Sequence, residues 1–202
     1  MKIWIGFFLL ACGVYANSAI TLYKQGQYYQ AAKLFYQECK NGDETQCRNL
    51  GAMYVNGIGV QKNYKGAFDL FQRACKQKDS IACFNLGLMY FGGLGVKQDF
   101  KQSFNQYAKA CQYKNAQGCA LAGAEYYFGV GIKQDFFKAI STFYKACEYG
   151  SGSACLSAGM MLENGEGSKQ DYKLAKTYYG KSCDLGNQNG CDGYKKINLL
   201  GH

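Results

Sequence analysis

The chain has 202 residues, no proline and a formal net charge of +9, and its 48% hydrophobic and 18% charged content excludes a disordered chain. The positive charge favours anionic surfaces or ligands. Because the lysines are spread along the chain without a dense basic run, nucleic acid is not expected as a partner.

Residues 1–16 are predicted to be a signal peptide, since a basic start at Lys2 is followed by an apolar run and then by Ala16 at a suitable cleavage site. That run is too short to span a membrane, and no later stretch reaches the roughly 20 apolar residues that a membrane helix needs. The Leu-Leu-Ala-Cys segment ending at Cys12 offers an alternative, in which this cysteine carries a lipid anchor. The sequence therefore predicts a secreted or periplasmic protein, with lipid anchoring through Cys12 as the alternative.

The cysteines after Cys12 define a repeat. They form five Cys-x7-Cys units that begin 36 residues apart without insertion or deletion, which indicates tandem repeats. In an exported chain this even number predicts disulfides. Pairing between successive units would leave Cys39 and Cys191 without partners, whereas pairing within each unit satisfies all ten cysteines. The predicted disulfides are Cys39–Cys47, Cys75–Cys83, Cys111–Cys119, Cys147–Cys155 and Cys183–Cys191.

Each repeat is predicted to form two helices. Apolar residues three and four positions apart indicate the first helix, and a glycine within it is expected to let a neighbouring helix approach closely. A Gly-x-Gly turn ends this helix. The second helix starts at the N-cap residues Asn63, Asp99, Asp135 and Asp171. It carries an aromatic stripe, predicted to pack between neighbouring repeats, that includes Phe71, Tyr107, Phe143 and Tyr179.

The predicted fold class is all-α, a right-handed α/α solenoid of helix pairs with one disulfide per repeat. The chain is expected to be a monomer. The predicted order is a helical hairpin at 17–40, four repeats within 41–186 (about 44–79, 80–115, 116–151 and 152–187) and a C-terminal capping helix at 187–202.

The pattern Ala-Cys-x7-Cys-x2-Leu-Gly-x2-Tyr-x2-Gly-x-Gly-Val, clearest from Ala74 to Val96, resembles the Sel1-like repeats, relatives of the tetratricopeptide repeat. With a disulfide in every repeat and an export signal, the chain is similar to the secreted Helicobacter cysteine-rich protein family. The Sel1 resemblance implies an adaptor that holds peptides or partner proteins. The cysteine-rich family implies a second function, penicillin binding with weak β-lactamase activity.

The sequence shows no motif for that hydrolysis. No serine is followed by lysine three positions on, and a single histidine, His202, cannot build a zinc site or a Ser-His-Asp triad. Glu125 and Glu163 are expected on first helices facing a groove, but their spacing does not indicate paired acid–base work. No catalytic residue, metal or cofactor is therefore predicted.

First helices usually line the concave face of such a solenoid, so a ligand is expected there. Asparagines suit the capture of extended peptide backbone, and aromatic residues supply apolar anchors. The leading hypothesis is a binding module for a peptide, a peptidoglycan fragment or a host protein, with a β-lactam-binding hydrolase as the alternative. The candidate groove residues are Arg48, Asn49, Phe84, Asn85, Phe91, Tyr127 and Phe128.

Overall fold

The computed structural model describes residues 18–201, so the predicted signal peptide, with Cys12, and His202 lie outside the described residues. The described part contains eleven helices and no strand. The helices are α1 (Ala19–Lys24), α2 (Tyr28–Lys40), α3 (Glu44–Asn56), α4 (Tyr64–Lys76), α5 (Ser80–Gly92), α6 (Phe100–Gln112), α7 (Ala116–Phe128), α8 (Phe136–Glu148), α9 (Gly152–Asn164), α10 (Tyr172–Asp184) and α11 (Gln188–Leu199).

Each helix packs mainly against the helices before and after it in the chain, which is the contact pattern of a solenoid. The first helices of the four repeats are α3, α5, α7 and α9, and the second helices are α4, α6, α8 and α10. This arrangement confirms the predicted all-helical repeat fold. Between residues 18 and 201, no helix is long and apolar enough to cross a membrane.

Helix boundaries follow from local chemistry. Asp99 caps α6, since its side chain accepts a hydrogen bond from the backbone N–H of Gln102 at 2.9 Å, and the other three predicted N-cap residues do the same for their helices. At the other end of a first helix, Gly93 takes the left-handed conformation with φ of 66° and ends α5. The predicted caps and stops are therefore confirmed.

The aromatic stripe of the second helices lies over the glycines of the first helices. Tyr107 of α6 is 2% exposed and covers Gly87 of α5, where an added Cβ would lie 2.4 Å from the tyrosine Cδ1. Phe71, Phe143 and Tyr179 cover the corresponding glycines in the other repeats. The close approach predicted for these glycines is confirmed. The contacts with these glycines lie within each repeat, whereas the stripe was predicted to pack between repeats. The Tyr179 ring also lies against Gly193 of α11, the helix that follows its own repeat.

Five disulfides link successive repeats. Each joins the end of a second helix to the following first helix, with Cα–Cα distances of 4.4–4.7 Å. Cys111 of α6 is bonded to Cys119 of α7, for example. The bonds therefore connect neighbouring helix pairs and indicate an oxidising compartment outside the cytoplasm.

Candidate binding groove

A cavity of about 480 Å³ opens between α7 and α9, two successive first helices. Its lining is mainly apolar, with the buried ring of Phe143 from α8 among the lining residues. From α7 it is lined by Ala120, Leu121, Ala124, Tyr127 and Phe128, and from α9 by Ser153, Ala154, Ser157, Met160, Met161 and Asn164. Such a cavity matches the size of sites that hold a large apolar group.

Small side chains on α7 keep this cavity open. Ala120 and Ala124 stand one period after Phe84 and Leu88 of α5. One repeat earlier, the larger ring of Phe84 packs against Tyr107, with 6.0 Å between the ring centroids. Alanine at these positions cannot reach the neighbouring helix, so the third repeat retains a groove.

Aromatic and polar groups form the edge of the cavity. The Tyr127 ring lies edge-on to Phe128 at 4.9 Å and to Phe136 at 5.1 Å, and Phe128 is 70% exposed. The Tyr127 hydroxyl donates a 3.0 Å hydrogen bond to Oε2 of Glu166, and this bond raises the pKa of Tyr127. An exposed aromatic next to a carboxylate gives this edge both apolar and charged character.

A second cavity, of about 380 Å³, lies between α1 and α3. Five of its six α3 residues occupy the positions of α9 residues that line the first cavity, three periods of 36 residues earlier. These pairs are Thr45 and Ser153, Asn49 and Ser157, Ala52 and Met160, Met53 and Met161, and Asn56 and Asn164. The repeat thus presents one helical face to a groove in both places.

The predicted groove residues divide between these places. Arg48 and Asn49 line the second cavity, where Arg48 lies 3.5 Å from Asp79 and the Asn49 amide donates to Gln46 at 3.0 Å. Tyr127 and Phe128 line the first cavity. The three residues on α5, which line neither cavity, are Phe84, Asn85 and Phe91.

The structure adds lining residues that the sequence interpretation missed. Ala120 and Leu121 stand one period after Phe84 and Asn85, so extending the groove register by 36 residues would have found them. Ser153, Ser157, Met160 and Asn164 of α9 follow a spacing of three and four residues, which is one face of a helix. What the pattern does not convey is which repeat keeps its groove open.

The two glutamates expected to face a groove differ. Glu125 is 5% exposed and lies in the core, because it occupies a position that holds methionine in α3, α5 and α9, so the groove-facing expectation was wrong for it. Glu163 is half-buried and accepts hydrogen bonds of 2.5 Å from the Tyr179 hydroxyl and from the Lys196 ammonium. No group of three or more metal-ligating side chains was found in residues 18–201.

Comparison with solved structures places the chain among Sel1 proteins. It is similar to a Sel1 repeat protein from Oxalobacter formigenes, with 27% identity, a TM-score of 0.80 and coverage of 85% of this chain and 71% of the other. It shares 30% identity, with a TM-score of 0.50, with Helicobacter pylori cysteine rich protein B, covering 68% of this chain and 94% of that one.

A third structure supports the fold alone. The protective antigen c5321 of uropathogenic Escherichia coli has 24% identity and a TM-score of 0.82, and the match covers 91% of this chain but only 42% of the antigen. Among curated proteins, none matches the sequence. The Sel1 repeat model matches residues 47–79, 80–112, 116–151 and 152–187, more than half of the chain. This chain therefore belongs to the Sel1 repeat family.

Proposed function

We propose that the protein is an exported binding module that holds a peptide segment of a partner protein on its first helices. Disulfide-bonded Sel1 repeat proteins are generally protein-interaction modules, which supports the general class. The single observation that carries the proposal here is the apolar cavity between α7 and α9. We infer that it anchors one large apolar side chain of the peptide.

The edge of the cavity favours a peptide over a purely apolar ligand. Asn164 lies on the lining and supplies both amide donors and a carbonyl acceptor for peptide backbone. Phe128 projects into solvent and offers a flat surface beside the anchor position. Glu166 places a carboxylate at the same edge, where it suits a donor or cation next to the anchored side chain.

The disulfides support the exported location. Five bonds persist in an oxidising environment, which fits a secreted or periplasmic protein. The serines of the cavity give no corresponding support to β-lactam hydrolysis, since Ser157 donates to the Ser153 carbonyl oxygen at 3.1 Å and no lysine is among the lining residues. Hydrolysis is therefore an outcome to be tested and not the proposed function.

Selection from a phage-displayed library of short random peptides tests the proposal. The oxidised protein should enrich peptides that share one large apolar residue, and alanine at that residue should weaken binding by about tenfold or more. Phe128→Ala, which removes an exposed ring from the cavity edge, should weaken the same peptides.

Three results would overturn the proposal. One is that no peptide is enriched, and another is that the enriched peptides bind Phe128→Ala and wild type equally. The third is sustained turnover of a chromogenic cephalosporin by the oxidised protein, in the presence of a chelator, which would favour the hydrolase alternative.

A further inference from the structure

The contact between α6 and α7 differs from its four counterparts along the solenoid. At the other four interfaces, the position equivalent to Ser103 on the second helix holds a buried alanine. The position equivalent to Glu125 on the following helix holds a buried methionine or isoleucine. These pairs are Ala31 and Met53, Ala67 and Met89, Ala139 and Met161, and Ala175 and Ile197. Only here, among the five, do polar residues replace both members, as Ser103 and Glu125.

Glu125 is poorly accommodated as an anion. It is 5% exposed, and the hydroxyl of Ser103, itself fully buried, donates to its Oε1 at 3.1 Å. Its Oε2 is buried and has no hydrogen-bond partner among the described residues. A buried carboxylate usually needs a cation or several donors, and a single hydroxyl does not replace the lost water.

The helices packed around Glu125 bring no compensating charge. The titratable group on α6 that interacts with it is the phenol of Tyr107, which is neutral at physiological pH because burial raises its pKa to about 12. Helix α5 has no charged side chain, and Glu163 of α9 is paired with Lys196. The charged residues of α6 and α8 are exposed, namely Lys101, Lys109, Lys138, Lys145 and Glu148.

We propose that the α6–α7 interface is a pH-sensitive joint in the solenoid, packed most firmly when the Glu125 carboxyl carries a proton. A neutral carboxyl resembles the apolar side chains of the other interfaces more closely than an anion does. The change in packing on protonation would occur at the centre of the chain, between the second and third of the four repeats.

The direction of the effect follows from proton linkage. Burial raises the pKa of Glu125 from 4.5 to about 7, against the hydrogen bond from Ser103, which lowers it. Because the folded protein holds this proton more tightly than the unfolded chain, the stabilisation is fully present below pH 4.5 and is lost as pH rises through about 7. Helix α7 also forms one wall of the cavity between α7 and α9. Protonation of Glu125 would therefore change the affinity of that cavity for a peptide, a consequence that rests on the proposed function.

Thermal unfolding of the full, oxidised chain between pH about 5 and about 8 tests the joint without any ligand. Wild-type protein should lose Tm over this range, and Glu125→Gln, which cannot ionise, should lose less. The double variant Ser103→Ala/Glu125→Met restores the alanine and methionine pair of three other interfaces and should show the same smaller loss of Tm. It keeps the test valid if the glutamine variant folds poorly.

A matched control is Glu163→Gln in the partly exposed pair with Lys196. There burial disfavours the anion, but hydrogen bonds from Lys196 and Tyr179 outweigh it and hold the pKa of Glu163 below its usual range. This substitution should leave the loss of Tm between pH about 5 and about 8 unchanged. Parallel Tm curves for wild type and both Glu125 variants would overturn the proposal. So would amide exchange that is no slower in α6 and α7 of Glu125→Gln than of wild type at pH about 8.

Discussion

At the scale of single residues, the aromatic rings that cover the central glycines of the first helices leave no room for a larger side chain there. Gly87→Ala would place a Cβ 2.4 Å from the Tyr107 ring, which is too close for either buried group to remain in place. We expect the free energy of unfolding to fall by about 2 kcal/mol, since the core becomes overpacked. Urea-induced unfolding measures this change.

Gly180→Ala is the matched control for that substitution. It lies inside α10, where the added Cβ would meet Tyr194 at an ordinary contact distance of 3.4 Å. Because alanine favours the helix, this variant should be neutral or more stable by up to about 1 kcal/mol. Equal losses in both variants would mean that helix glycines act through the backbone and not through close packing.

The environment of a residue could be predicted where the repeat copies carry the same residue type, and not where one copy differs. The sequence located the glycine and aromatic positions because they recur every 36 residues. Glu125 was expected to face a groove because it lies on a first helix, although methionine stands at the equivalent position of three other first helices. Comparing equivalent positions of the repeats would therefore have indicated that Glu125 is buried. Its contact with Ser103 could be seen only in the structure.

At the scale of elements, the turns that lead into the first helices contain a strained position. Lys78 and Lys114 adopt left-handed φ values of 67° and 62°, where the equivalent turns use Gly42, Gly150 and Gly186. A non-glycine residue in this region costs about 1–2 kcal/mol, partly offset by the greater freedom of glycine in the unfolded chain. Lys78→Gly should therefore raise the free energy of unfolding by about 0.5–1 kcal/mol.

The converse substitution distinguishes strain from lost lysine contacts. Gly150 has nothing within 4 Å of an added Cβ, so Gly150→Lys tests the backbone conformation alone. It should destabilise by about 1 kcal/mol in the same urea titration. If Gly150→Lys is neutral, or Lys78→Gly destabilises, the left-handed position does not store strain.

The helices were largely predictable because their ends depend on neighbours in sequence. Asp99 and its equivalents cap second helices, and the Gly-x-Gly turns end first helices, as local chemistry requires. The open groove was not predictable in this way. An open groove depends on whether the side chain at a position such as Ala124, or Leu88 one repeat earlier, is large enough to contact the next first helix.

At the scale of the whole molecule, the disulfides connect successive helix pairs, so their loss should depend on position. Replacing Cys111 and Cys119 by alanine removes a central link, and a loop of this size contributes about 2–3 kcal/mol. Because repeats depend on their neighbours, this variant should lower the Tm of the whole solenoid.

Replacing Cys183 and Cys191 removes the terminal link between α10 and α11. Its effect should be confined to faster amide exchange in α11, with a smaller change in Tm. Identical global losses for both variants would show that the chain unfolds as one unit, without the nearest-neighbour behaviour of a solenoid.

The solenoid itself was apparent from the unbroken 36-residue period, whereas its binding surface was only approximately located. The 36-residue period identifies the equivalent helix face in every repeat, but not the repeat in which that face lines an open cavity. Phe84 packs against Tyr107, and no α5 residue lines either of the two cavities, which could be seen only from the packed structure.

The central claim is that the cavity between α7 and α9 is the binding site, and the affinity of one selected peptide for two tryptophan variants tests it most directly. Ala124→Trp places a large side chain in the cavity, whereas Leu88→Trp places the same side chain at the equivalent position one repeat earlier, outside both cavities. We predict that Ala124→Trp weakens binding by about tenfold or more while Leu88→Trp binds as wild type does. Equal affinities for all three proteins would contradict the account.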